Sequence, residues 1–251
     1  MAESDGQYEA LGRQYERTRH VPAGLAERAT LLSALPDLRG RSVLDVACGT
    51  GFHARLFRTL GAGRVVGVDS TAGMVAYARR VEEREPAGIE YHRHDAAELP
   101  VLGAFDIVTG VWLLGYAEDV AGLDAMVANL RANAAPGGTV VVLVPNPEVD
   151  WDAMADYGRY GYEIHRTGPP GLRQPVVVHV PGNPSFEFGS YFWRAGAFEA
   201  ALGRAGLRDV TRHPTVVPDD GRGERFWGAL RRSPSFAVFS CRNPKPTTLP
   251  R

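Results

Sequence analysis

Val43-Leu44-Asp45-Val46-Ala47-Cys48-Gly49-Thr50-Gly51 is the stretch on which the fold turns, and Val65-Val66-Gly67-Val68-Asp69 follows it. An apolar strand runs into a pair of glycines that open a helix, and a second strand ends on a carboxylate. In a parallel α/β sheet this order builds a nucleotide-shaped site: the glycines let the backbone approach a ligand closely, and the acid lies where a ribose presents its hydroxyls. Gly49-Thr50-Gly51-Phe52-His53-Ala54, a GxGxxA pattern, says little by itself. Asp45 inside the end of the first strand and Asp95 in His94-Asp95-Ala96 sharpen it.

Working outward, strands and helices alternate: strand 42–47, helix 51–60, strand 64–68, helix 72–84, strands 89–93 and 105–109, helix 119–134 and strand 139–144, the last preceded by a turn at Pro136-Gly137-Gly138. Such alternation predicts an α/β fold with a doubly wound, mostly parallel, seven-stranded sheet and right-handed crossovers. After Pro145 the pattern changes. Val176-Val177-Val178-His179-Val180 and Ser185-Phe186-Glu187-Phe188 predict an antiparallel hairpin inserted after the fifth strand, and a helix at 195–205 with strands 208–217 and 235–241 completes the sheet as an antiparallel pair. Upstream, Tyr8 and Tyr15 stand two helical turns apart in a charged segment, 7–19, so both rings face one way. A second helix covers 23–35. The expected division is 1–36 as N-terminal lid helices, 37–145 as ligand-binding core, 146–193 as substrate-binding insert, 194–242 as completion of the sheet and 243–251 as a disordered tail.

Composition narrows the function. The 251 residues carry 28 basic and 29 acidic side chains, so no global field draws the chain to nucleic acid or to an anionic membrane. Lys245 is the one lysine; the Arg, Ala and Gly bias suggests a GC-rich genome. The polar Met1-Ala2-Glu3-Ser4-Asp5 start and the lack of a spanning apolar run lead us to expect a cytoplasmic protein without membrane or nucleic-acid partners, a monomer or homodimer acting on a small molecule. Cys48 and Cys241 make neither a disulfide framework nor a metal site, so no metal is expected.

In open parallel sheets the ligand sits beyond the carboxyl ends of the strands. That rim gathers Asp45 to Gly51, Asp69, Asp95 and Thr109 to Trp112. Asp69 suits a ribose diol, Asp95 an exocyclic adenine amine, and a cationic end would be welcome at Asp45. A pyrophosphate would be repelled by the acids and would meet no basic residue in the loop, which disfavours an NAD(P)-dependent oxidoreductase.

Val43 to Gly51, Asp69 and His94-Asp95-Ala96 together resemble the first three signature motifs of the class I S-adenosylmethionine-dependent methyltransferases, over roughly residues 8–145. The resemblance implies S-adenosylmethionine as cofactor and S-adenosylhomocysteine as product. It also implies a donor site of Tyr15, Asp45, Ala47, Gly49, Thr50, Gly51, Asp69, Ser70, Met74, Asp95, Ala96 and Gly110: the glycine loop around the methionine moiety, Asp69 on the ribose, and Asp95 with the Ala96 amide on the adenine. The Tyr8 and Tyr15 segment is similar to the N-terminal lid helix of small-molecule methyltransferases. A further similarity, in the spacing of aromatics, is to the toxoflavin-type N-methyltransferases of bacterial secondary metabolism, which act on flat azapteridine rings.

Aligning nucleophile, methyl and sulfur while excluding water is most of what methyl transfer requires. The expected acceptor wall is aromatic, because aromatic faces suit a flat ring and a sulfonium. Its candidates are Tyr8, Trp112, Tyr116, Asn146, Tyr157, Phe188, Tyr191 and Trp193, and Tyr160 and Tyr162 with them. Gly115 stands where many relatives carry a histidine after the fourth strand, so no catalytic base is assigned; Tyr15, His165 and His179 are the candidates. Val144-Pro145-Asn146-Pro147 follows the fifth strand, not the fourth as in base-modifying amino-methyltransferases. The expected activity is N- or O-methylation of a small heteroaromatic metabolite. The rivals are the oxidoreductase and a donor-binding protein that does not catalyse.

Overall fold

A computed structural model describes residue 12 and residues 14–182 and 185–246. The elements, in order, are α1 (Pro22–Ala34), β1 (Ser42–Val46), α2 (Phe52–Thr59), β2 (Arg64–Asp69), α3 (Ala72–Arg84), β3 (Ile89–Arg93), β4 (Phe105–Val111), α4 (Val120–Asn133), β5 (Ala134–Pro145), β6 (Glu163–Arg166), β7 (Arg173–Val180), β8 (Phe186–Trp193), α5 (Ala197–Arg204), β9 (Arg208–His213), α6 (Gly223–Arg232) and β10 (Phe236–Arg242). Short 3-10 turns cover Ala96–Glu98, Leu114–Tyr116 and Asp152–Tyr160.

Seven strands form one sheet in the order β3-β2-β1-β4-β5-β10-β9. β1 runs parallel to β2 and to β4, with Val43 opposite both Val65 and Ile107. β10 is antiparallel to both of its neighbours. Strand residues alternate between faces, and both faces are covered, which is why residues 140–144 of β5 form a continuous apolar run and β1 and β4 are mostly apolar, interrupted at Asp45, Asp106 and Thr109. Val43, Val65, Ile107 and Val238 pack with α1, α2, α3 and α6, whereas Leu44, Val66, Val108 and Phe239 pack with α4 and α5. The expected doubly wound, mostly parallel fold is the one observed.

Four details differ from the sequence reading. Pro136-Gly137-Gly138 lies inside β5 rather than before it: the register slips between Phe105↔Ala134 and Ile107↔Thr139, and Gly137, at φ 80°, absorbs the extra residues without breaking the pairing. The insert is a three-stranded antiparallel sheet, β6-β7-β8, not a hairpin. α6 was not expected at all, although its stripe of buried Trp227 and Leu230 has helical spacing. Asn243, placed in the expected disordered tail, is bonded to the start of β5 through Gly137, Gly138 and Ala134, while residues 247–251 lie outside the described residues. Among the described residues, no helix is long and apolar enough to cross a membrane.

Candidate functional site: a donor cleft and an apolar chamber

β1 has β2 on one side and β4 on the other, so the chain direction of winding reverses there and leaves a crevice beyond the strand ends. The residues that leave β1 and β4 turn sharply. Ala47 and Trp112 hold φ of 62° and 61°, the left-handed region that costs a non-glycine residue about 1–3 kcal/mol. Gly49 continues the turn at φ 54°, and a Cβ there would stand 3.8 Å from the Tyr15 ring, an ordinary contact. Gly51, at φ 81°, caps α2, and a Cβ there would collide with the Tyr91 hydroxyl. Only glycine satisfies both the dihedral and the contact.

Asp69 ties the two strand ends together. Its Oδ2 accepts from the Gly49 amide at 2.9 Å and its Oδ1 from the Thr71 amide at 2.9 Å, which fixes the carboxylate while leaving each oxygen a further lone pair. Asp95 accepts from the Ala97 amide at 2.8 Å and remains exposed above buried Ala96. A cleft of about 390 Å³ opens between these acids, bounded by Ala47, Gly49, Asp69, Ser70, Met74, Asp95 and Ala96 on one side and by Tyr15, Trp112 and Tyr116 on the other. Val46, Thr71, His94, Val111, Leu113 and Met126 complete the wall, and of these Thr71, Leu113 and Met126 were not foreseen.

Four expected donor-site residues do not reach that cleft. Thr50, Gly51 and Gly110 are buried behind the loop, where they shape it. Asp45 lies at 1% exposure beneath it, its Oδ1 accepting from Thr109 Oγ1 at 2.8 Å and its Oδ2 without a partner among the described residues. Burial pushes the Asp45 carboxyl up to about 7; Asp69 adds to the rise, while the Thr109 bond and the Arg19 charge oppose it.

Beyond Tyr15, Trp112 and Tyr116 lies a second, smaller chamber of about 50 Å³. The insert sheet roofs it with Ile164 from β6, Val178 and Val180 from β7, and Phe188, Ser190 and Phe192 from β8. At its edge is a buried polar knot. Glu27 Oε1 accepts from the Tyr162 hydroxyl at 2.8 Å, and Oε2 accepts from Trp112 Nε1 at 3.0 Å and from Arg19 Nη1 at 3.5 Å. Arg19 Nη2 donates to the Tyr15 hydroxyl at 3.2 Å. Burial works against the Arg19 charge, yet Tyr15, Glu27 and Tyr162 hold its pKa above the ordinary value.

The expected acceptor residues separate into two groups. Trp112, Tyr116 and Phe188 line the chamber, and so does Tyr162, while Tyr8 lies outside the described residues. Tyr157 is instead core, edge-on to Tyr160 and tilted against Tyr162, with its hydroxyl accepting from the Ser235 amide. Trp193 is buried in the core on the α4 and α5 side, and Tyr191 lies under Arg173 at 3.7 Å. Asn146 is engaged in the core, its Nδ2 donating to the Pro234 carbonyl and its Oδ1 accepting from the Glu148 amide and Arg212. His165 and His179 alternate with Ile164 and with Val178 and Val180, so they point away from the chamber and pair with Glu163 at 3.3 Å and Glu187 at 3.1 Å. Neither histidine can act as a base there.

Arg19 and Glu27 were missed. The signal for Glu27 is a charge inside the buried stripe of α1, Ala23, Ala26, Glu27, Thr30, Leu31 and Ala34. An acid on the apolar face of a helix needs partners. Nothing local marks Arg19.

Glycine-formed open backbone, an anchored acid at the end of β2, a second acid beside a buried alanine and a half-bonded Asp45 beneath the loop fit an adenosine bearing a positive charge. Residues 43–138 match a family model described as a methyltransferase domain. A dTDP-3-amino-3,6-dideoxy-alpha-D-glucopyranose N,N-dimethyltransferase of Streptomyces fradiae is 33% identical over 136 residues, 54% of this chain and 49% of that protein. The chain spans about half the length of the curated relatives it matches. Among solved structures, an S-adenosylmethionine-dependent methyltransferase of Mesorhizobium loti is 25% identical with a TM-score of 0.62, over 87% of this chain and 98% of that one. An amino pentose methyltransferase of Micromonospora echinaspora shares the fold, with a TM-score of 0.59 at 23% identity over 93% of this chain and 96% of that one.

Proposed function

We propose that this chain, whose residues 43–138 form a class I S-adenosylmethionine-dependent methyltransferase domain, transfers the donor's methyl group to a small, flat, ring-bearing metabolite held in the apolar chamber. The observation that carries the reading is the shared wall: Tyr15, Trp112 and Tyr116 bound both the donor cleft and the chamber, so an acceptor in one space meets a donor in the other. Residues 146–193 supply the acceptor roof, and the segment around Tyr15 acts as the lid.

The sulfonium supplies an already activated methyl group. The chain's own residues bind and orient. Asp69 takes the ribose hydroxyls, Asp95 and Ala96 the adenine, and the Ala47–Gly49 turn the methionine end. Tyr15, Trp112 and Tyr116 hold the two partners face to face and keep water out, which converts a bimolecular displacement into a positioned one. About 50 Å³ is several times the roughly 10–15 Å³ a single water needs but only about a third of the roughly 150 Å³ of an apolar cavity that binds benzene, so the chamber excludes an extended polymer and takes a ring by widening at the lid around Tyr15.

The Streptomyces and Micromonospora relatives favour a second reading, N-methylation of an amino sugar. The apolar side chains of the chamber, Ile164, Val178, Val180 and Phe192, weigh against it.

Calorimetry with S-adenosylhomocysteine tests the donor assignment. Wild-type protein binds it, and Asp69→Asn, which keeps one acceptor oxygen but loses the charge, should weaken binding on the order of tenfold or more. No binding to wild-type protein sinks the reading. Release of S-adenosylhomocysteine across a panel of phenols, N-heterocycles and amino sugars then separates the two acceptor classes.

A further inference from the structure

Most of the chamber wall is apolar, the Ser190 hydroxyl is taken up by the Gly115 carbonyl, and the one charged corner holds Arg19 and Glu27. Arg19 is nine-tenths buried and lines the chamber beside Tyr15. Its guanidinium has five N–H donors, and among the described residues only Glu27 and the Tyr15 hydroxyl accept from it. Glu27 is the opposite case: with Tyr162, Trp112 and Arg19 all donating to it, both of its oxygens are engaged. The pair is therefore asymmetric. Three donors meet the carboxylate's two oxygens, whereas the cation, with only two acceptors for its five N–H groups, retains directed donor capacity inside the chamber.

Resting on the methyltransferase reading above, we propose that Arg19 anchors an anionic oxygen on the acceptor, so the substrate class is a flat, mostly apolar molecule carrying one acidic hydroxyl, a phenol or enol bound as its anion. Glu27 is a positioning residue. With Trp112 and Tyr162 holding it, it fixes the guanidinium and offsets the cost of burying a lone charge. Its own bond to Trp112 also sets the ring that separates chamber from cleft. Tyr15, whose hydroxyl accepts from Arg19, lines the donor cleft as well, so an oxygen anchored at Arg19 is one residue away from the donor.

This accounts for a chamber whose histidines face outward. An acceptor bound as its anion has no proton for the protein to remove. Transfer breaks the methyl–sulfur bond as the oxygen–carbon bond forms; the oxygen's negative charge and the sulfonium's positive charge cancel, giving a neutral methyl ether and a neutral thioether.

The test compares two probes of nearly the same shape, 4-nitrophenolate at alkaline pH and neutral 4-nitroanisole. Their dissociation constants are measured by equilibrium dialysis on the full chain with and without S-adenosylhomocysteine. Wild-type protein should prefer the anion on the order of tenfold, as expected for a charge-assisted hydrogen bond in a dry site. Because Arg19→Met alone strands the Glu27 carboxylate, the double variant Arg19→Met/Glu27→Gln removes both charges together, and it should lose the preference while S-adenosylhomocysteine still binds. Arg19→Lys keeps the pair charged but loses the planar fork, and should reduce the preference several-fold. Equal affinities for the two probes in wild-type protein, or a preference that survives in the double variant or is unchanged in Arg19→Lys, overturns the proposal. Failure of S-adenosylhomocysteine to bind wild-type protein would instead overturn the methyltransferase reading, and the two probes still report on Arg19 without it.

Discussion

Asp45 shows what one buried carboxyl does to the whole chain. In the unfolded state it titrates near the ordinary value of about 3.9, and in the folded state burial lifts it to about 7. Between these values the folded protein holds a proton that the unfolded chain releases, so this group's contribution to stability is full below about pH 4 and is lost as pH rises through 7. Asp45→Asn keeps the Thr109 bond and cannot ionise. Thermal unfolding from pH 4 to pH 8 should show the variant's curve above the wild-type curve at the alkaline end and flatter across the window, with roughly 2–4 °C gained per kcal/mol recovered. Parallel curves would mean Asp45 does not titrate in that range. At the same scale, Trp112 shows what residue identity conceals: its left-handed φ lets a single side chain wall two spaces and donate to Glu27 at 3.0 Å, and a tryptophan after a strand gives no hint of that backbone.

At the scale of elements, alternation decides which side chains matter. β7 buries Val176, Val178 and Val180 toward the insert core and turns His179 outward beside Glu187. His179→Ala should therefore leave methyl transfer within about twofold and cost no more than about 1 kcal/mol, the usual worth of an exposed ion pair. Val178→Asp, one residue away, puts an unpaired carboxylate against Ile164 and Phe188 and should cost about 3 kcal/mol or more and abolish acceptor binding. Urea denaturation and turnover measured on the pair distinguish them; a His179 variant without activity would restore the histidine as a base. The same alternation explains the misassigned aromatics. Tyr157, Tyr191 and Trp193 are aromatic in sequence, but the direction each ring takes depends on strand register and on a 3-10 turn, neither of which a single segment encodes.

For the whole molecule, the sheet separates two cores. Leu31, on α1, belongs to the core of one face, and Leu130, on α4, to the core of the other, both fully buried. Leu31→Ala and Leu130→Ala should each cost about 2–5 kcal/mol, and because they share no partners the double variant should equal their sum to within roughly 0.5 kcal/mol. Denaturant titration of the four proteins checks this; a large coupling energy would mean the faces are not independent. Much of this layout was legible, since each strand and helix declares itself by periodicity and strand–helix alternation leaves few topologies.

The sequence by itself determined the parallel core, the glycine turn and the acids at 69 and 95, because a turn's dihedrals and a strand's closing residue are local and their spacing is fixed by the chain. It did not determine the acceptor side. Tyr15 and Arg19, Glu27 in α1, Trp112 after β4, Tyr162 and the three insert strands come from distant parts of the chain, and only their packing brings them together. What each does there depends on burial and on its neighbours' charges. A charge such as Arg19 is ordinary on a surface and becomes a binding group only when the fold encloses it.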